Sequence, residues 1–209
     1  MELTRAQAVR RGVRLERVTV VWMVAESTLA IGAGVAARSV LLTAFGVDSV
    51  VELLSGLVLL RRLSVEARGA KVEQVERLER KTARISGVLL VFLCGYVVIT
   101  SAAGLIAGIK PEGSVLGIVV AAVAVVAMPA LALAKTRANQ SIQSAALRAD
   151  VAETVTCAYM AGVTLVGLAA SSLLGFWWIQ YLAALALLIW LIPETKEALT
   201  SGSHEEEEK

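Results

Sequence analysis

The sequence predicts an all-α fold: a polytopic membrane protein with six transmembrane helices and both termini in the cytoplasm. Hydrophobic residues make up 57% of the 209, and mean hydropathy is +0.72. Apolar runs recur along the chain, most of them near the ~20 residues that a helix needs to cross a bilayer core of about 30 Å. They lack the short in-out alternation of a membrane barrel. All but two of the 20 lysines and arginines fall on one side of the runs, the exceptions being Arg38 and Lys110, and the positive-inside rule makes that side cytoplasmic.

Taken in order, residues 1–17 form a basic cytoplasmic segment. Its Leu3, Ala6, Val9 and Val13 fall near helical spacing, so it either lies on the anionic leaflet or extends the first span as a helix. It is too charged for a cleavable signal, and the span that follows can act as an uncleaved anchor. Residues 18–192 form the six-span membrane domain, with spans at 18–36, 40–60, 85–109, 114–134, 149–174 and 176–192. The first two are joined by only Ala37, Arg38 and Ser39, an antiparallel hairpin. Residues 61–84 read as one solvated helical linker, with Glu73–Arg77 and Glu76–Arg80 as favourable i,i+4 pairs and Gly69 as a bend. Pro129 predicts a kink in span four. Spans five and six meet at Leu174-Gly175, beside Trp177, Trp178 and Tyr181, which suit the membrane interface. Gly32, Gly34 and Gly56 predict close helix approach. Residues 193–209 read as a short acidic tail, in which His204 and its glutamates serve solvation, not mechanism.

These features exclude several classes of function. Acids interleave with the cytoplasmic bases, which argues against nucleic-acid binding. The sequence holds no nucleophile–base constellation or nucleotide loop, so an enzyme is not expected, nor a prosthetic cofactor. Cys94 and Cys157 lie inside spans and make no disulfide framework; Cys94 reads as packing.

The informative feature is acid inside the spans. An ionised carboxylate at the bilayer centre costs about 2.5–3.5 kcal/mol on insertion scales, so such residues usually face a polar cavity. Span one carries Glu26, span two Asp48 and Glu52, and span five Glu153 with Asp150 nearer its cytoplasmic end; the other spans carry no charge. Three helices should therefore converge on one polar site. Asp48 and Glu52 are i and i+4, on one face. No lysine or arginine lies within a span to separate them, so the countercharge must be a proton, a cation, or both in turn. On span five Asp150, Glu153 and Cys157 share a face, and Glu153 and Cys157 repeat the i,i+4 spacing. Asp48, Glu52, Glu153 and Cys157 make a four-coordinate set. Its thiolate favours zinc, and its carboxylates also suit manganese or iron(II). Glu26 is an accessory ligand or the proton-coupling group. Asp150 either joins it in that role, charges the start of span five, or pairs with Arg148.

These residues carry a resemblance. Ser39-Val40-Leu41-Leu42 leads to Phe45-Gly46-Val47-Asp48-Ser49-Val50-Val51-Glu52, and Ala146-Leu147-Arg148-Ala149-Asp150-Val151-Ala152 leads to Glu153 and Cys157. The chain resembles the cation diffusion facilitator (cation efflux) family, in particular short members lacking the C-terminal cytoplasmic domain. In that family span two commonly reads S-L-A-L-L-A-D-A-x-H-S-x-x-D and span five A-L-R-A-D-A-x-H-x-x-x-D. Asp48 and Glu52 fall on the span-two ligand positions, Glu153 and Cys157 on those of span five. The ending GFWWIQYLAALALL is similar to the family's last span. The resemblance implies export of divalent metal ions in exchange for protons by alternating access, a homodimer, and a place in the cell (inner) membrane. Every ligand position departs from the commonest zinc form, and Gln180 and Tyr181 replace the Asp-Pro of the last span. The rival readings are a proton-coupled exporter of organic cations, with Trp22 and Phe45 as the only nearby aromatics, and a non-transporting membrane metal sensor or scaffold.

Overall fold

Within hydrocarbon every backbone N–H and C=O must be satisfied inside the protein, and a helix does this within one segment. The computed structural model builds the chain that way and describes residues 5–68 and 73–203. Its elements are α1 (Arg5–Ala36), α2 (Val40–Ala67), α3 (Glu73–Ala107), α4 (Val115–Ile142), α5 (Ala145–Leu174) and α6 (Ile179–Ser203). Each contains a stretch long and apolar enough to cross a membrane.

The ends away from the basic side fall within three residues of where the sequence places them, because local chemistry stops the helices there. The Ser114 hydroxyl caps α4 by accepting from the Gly117 N–H, and α5 ends on Gly175 at φ 71, a left-handed C-cap. On the basic side the helices run well past the apolar stretches. Arginine, glutamate and alanine interrupt hydropathy without interrupting the hydrogen-bond ladder, since all three favour helix. Residues 61–84 are accordingly not a separate linker helix: the first of them finish α2 and those from Glu73 open α3. The expected loop after span four is also mostly helix. α4 continues through Pro129 to Ile142, and only Gln143 and Ser144 separate it from α5. α6 runs beyond residue 192 to Ser203. Gly69, Leu3, His204 and the side chains of Ala6, Glu73, Glu76, Arg77 and Arg80 lie outside the described residues.

α2 is the central helix. It touches α1, α3, α5 and α6, and 61% of its apolar window is buried inside the protein, against 28–39% for the other five. Its approach to α1 depends on glycine: a Cβ at Gly34 would lie 2.6 Å from the Thr43 amide, and one at Gly46 2.7 Å from that of Ile31. The other two glycines behave differently. Gly32 faces nothing within 4 Å, and Gly56 leaves room for the Glu16 carboxylate.

Two apolar cores result. The larger joins Met23, Phe45, Val51, Leu93, Met128 and Met160, among others, through the middle of the bundle. The smaller lies on the basic side, where Ala8, Val9 and Val13 of α1 pack against Leu59, Leu63, Ala138, Ile142 and Leu147. The N-terminal segment is thus an extension of the first span held inside the bundle, not a helix lying on the leaflet. Tyr181 also departs from its expected interfacial place. It is buried, its ring seated on Gly104 and its hydroxyl donating to the Ile109 carbonyl at 2.9 Å.

Candidate functional site

The acids of α1 and α2 meet the thiol of α5 in the centre of the bundle. Glu26 and Cys157 are fully buried, Asp48 is 2% exposed and Glu52 7%. Glu26 Oε1 accepts a hydrogen bond from Ser49 Oγ at 2.8 Å and one from Cys157 Sγ at 3.7 Å. Glu52 is a second carboxylate within electrostatic range of the Cys157 thiol. Helical spacing explains the convergence. On α2, Ser49 and Glu52 lie three apart and Asp48 and Glu52 four apart, so the helix presents a hydroxyl and two carboxylates over one turn. Glu26 Oε2, Asp48 Oδ1 and Glu52 Oε2 are buried without a hydrogen-bond partner among the described residues. Buried acceptors left open in this way are costly unless something cationic or protonated fills them.

Glu26 therefore belongs to this cluster, beside Cys157. Glu153 lies one turn toward the basic side, half-buried, within electrostatic range of Asp48, Asp150 and Lys135. Among the described residues no three His, Cys, Asp or Glu side chains already stand around a common point as a metal cage.

Asp150 does something the sequence did not suggest. It neither caps α5, a role taken by Ser144, nor pairs with Arg148. Its Oδ2 accepts from Lys135 Nζ at 2.6 Å, and the same ammonium lies 3.0 Å from Glu16 Oε2 and 3.5 Å from Thr154 Oγ1. Lys135 is 1% exposed and Glu16 fully buried. The expectation that no basic residue lies within a span fails here, because α4 carries Lys135 into the bundle. In sequence, a lysine that follows directly on an apolar run reads as loop, and Glu16 reads as part of the basic N-terminal segment. By helical rise the ion triad lies roughly 10 Å along α5 from Cys157, toward the basic side. Glu194 of α6 falls in the stretch whose sequence reads as tail. It stands within electrostatic range of Asp48, Glu52 and Glu153; its one sequence signal was its nearness to the end of span six.

The opposite side is fastened differently. Ser39, in the α1–α2 turn, donates to Gln180 Oε1 at 2.7 Å, and Gln180 Nε2 donates to Ser171 Oγ at 3.0 Å. The Glu112 amide reaches across to the Ala37 carbonyl at 2.8 Å. The acid cluster is thus bracketed by an ionic triad joining α1, α4 and α5 on the basic side and a neutral hydrogen-bond chain joining the α1–α2 turn, α5 and α6 on the other.

The family description that matches this chain is the cation efflux transmembrane domain, over residues 18–199. The chain belongs to the cation efflux family. No curated protein matches it. The match covers the part of the chain that holds Glu26, Asp48, Glu52, Glu153 and Cys157. The cation efflux protein is accordingly an integral membrane cation transporter, of a family that carries divalent cations and is not enzymatic.

Proposed function

We propose that this protein exports a divalent metal ion from the cytoplasm in exchange for protons, working as a homodimer in the cell (inner) membrane. The observation that carries the reading is the buried cluster of Glu26, Asp48, Glu52 and Cys157, to which no lysine or arginine among the described residues belongs, while the buried ammonium of Lys135 is held by Glu16 and Asp150. Carboxylates gathered in low dielectric need a positive partner, and in a cation transporter that partner is the cargo or the protons that replace it. Asp48, Glu52, Glu153 and Cys157 are the ligands, and Glu26 passes protons to and from Cys157. Ligation requires these donors to draw together around the ion and to lose their protons, so metal and proton compete for one site. The thiolate makes zinc the favoured cargo, with manganese or iron(II) next because the other donors are carboxylates.

Alternating access uses the two fastenings in turn. Parting the triad opens the cluster to the cytoplasm, where metal displaces protons. Parting the Ser39–Gln180–Ser171 chain opens it to the other side, where protons displace metal. Metal flux into proteoliposomes under a pH gradient tests the reading, with zinc, manganese, iron(II) and cobalt compared. Flux should vanish in Asp48→Asn. Undiminished flux in that variant, or none for any metal with folded wild-type protein, would refute it.

A further inference from the structure

Between the basic-side ends of α1 and α2 lies a cavity of about 230 Å³ that the transport reading does not use. Arg10, Arg14, Arg17, Arg68 and Ser64 line it. The three arginines of α1 are spaced i, i+4 and i+7 and share one helix face, and Arg68 meets them from the last turn of α2. Among the described residues none of the four guanidiniums has an ion-pair partner; the nearby carboxylate of Glu16 is turned inward to Lys135. Converging guanidinium forks with a hydroxyl beside them match the oxygens of a phosphate group.

What continues below the pocket decides where that phosphate comes from. The face of α1 that carries Arg14 and Arg17 runs on as Val21, 71% exposed, and Val24, 49% exposed, while α2 leads from Ser64 back to Leu57, 45% exposed. Arg17 and Ser64 both stand where charged sequence gives way to apolar sequence, the level of lipid phosphates at a bilayer surface. A phosphate held here has open apolar helix surface directly beneath it, suited to acyl chains and useless to a soluble ion. Four positive charges without an ion-pair partner among the described residues also select a head group with net negative charge over a zwitterionic one.

We propose that this pocket binds the head group of one anionic phospholipid of the cytoplasmic leaflet, with its chains along Val21, Val24 and Leu57. The bound lipid would tie the cytoplasmic ends of the first two helices together, independently of which cation the protein carries.

The test is lipid retention by the purified full-length protein in mixed micelles, counted per chain by native mass spectrometry with phosphatidylglycerol or phosphatidylcholine as the probe. One phosphatidylglycerol should be retained, at least about tenfold more tightly than phosphatidylcholine. The triple variant Arg14→Gln, Arg17→Gln, Arg68→Gln should lose that preference. A charge-matched triple on the same side, Arg61→Gln, Arg137→Gln, Arg148→Gln, should keep it. The triple Arg→Lys change at 14, 17 and 68 preserves the charge that orients the chain and should still weaken retention about threefold or more, because the forks are gone. Equal losses in the two glutamine triples would reduce the pocket to diffuse surface charge and overturn the proposal. So would full retention by the lysine triple, or equal retention of the two lipids. Displacement of phosphatidylglycerol by inorganic phosphate or diphosphate at comparable concentration would assign the pocket to a soluble anion instead.

Discussion

Cys157 sets the chemistry of the cluster at the scale of single residues, because it is the one sulfur among carboxylates and touches Glu26 at 3.7 Å. Replacing it by serine keeps the volume and a donor and, on the proposed ligand set, exchanges a borderline-soft donor atom for a hard one. Cys157→Ser should lower zinc affinity about tenfold or more while leaving manganese nearly unchanged, measured as competitive flux of the two metals. An unchanged ratio would remove the thiol from the ligand set. Glycines make a second prediction at this scale. A methyl at Gly104 would lie within 2.5 Å of the Tyr181 ring, whereas at Gly32 it meets nothing. Gly104→Ala should therefore destabilise by about 1–3 kcal/mol, and Gly32→Ala should stabilise by about 0.5–1 kcal/mol through helix propensity. Thermal unfolding of the two variants in detergent compares them directly. The sequence could not rank these glycines, since what a Cβ would meet depends on the neighbouring helix.

Whole elements were legible in the sequence where hydropathy and capping act locally, and obscured where charge is buried by partners far along the chain. The six helices, the three-residue turn after α1 and the acid faces of α2 and α5 could all be read from spacing. The extra turns on the basic side could not, because charge marks the end of an apolar run and not the end of a helix. The residues lost with those turns are the ones that meet: Glu16, Lys135 and Asp150 come from three helices, and only packing brings them to 2.6–3.0 Å. Their energetics give a third prediction. Lys135→Met leaves two buried carboxylates without their cation and should cost about 3–5 kcal/mol. Neutralising the triad as a unit, with Glu16→Gln, Lys135→Met and Asp150→Asn, leaves no orphaned charge and should recover most of that stability. If the triple variant unfolds as early as the single one, the triad is not an energetic unit.

The whole molecule holds its acid cluster between two fastenings of unlike chemistry, and the proposed cycle requires that they be released separately. The triad is ionic and on the basic side, where the proposed export cycle takes metal up; the Ser39–Gln180–Ser171 chain is neutral and on the opposite side, where that cycle releases it. Cys157 reports on both, because its thiol is fully buried between them and a charged, membrane-impermeant thiosulfonate can reach it only through water. In a Cys94→Ala background, Cys157 should react slowly from either face of oriented vesicles. The charge-neutral triad variant should speed its labelling from the basic-rich face alone, about tenfold for each 1.4 kcal/mol by which the open form is favoured. Gln180→Ala removes the centre of the other chain and should speed labelling from the opposite face alone. Zinc should protect Cys157 in both variants, since the thiol would then be engaged as a ligand. Acceleration from the same face in both variants would mean that the two fastenings do not face opposite solutions, and the rocking mechanism would fail with them. Acceleration from opposite faces without protection by zinc would keep the two gates and remove Cys157 from the cargo site.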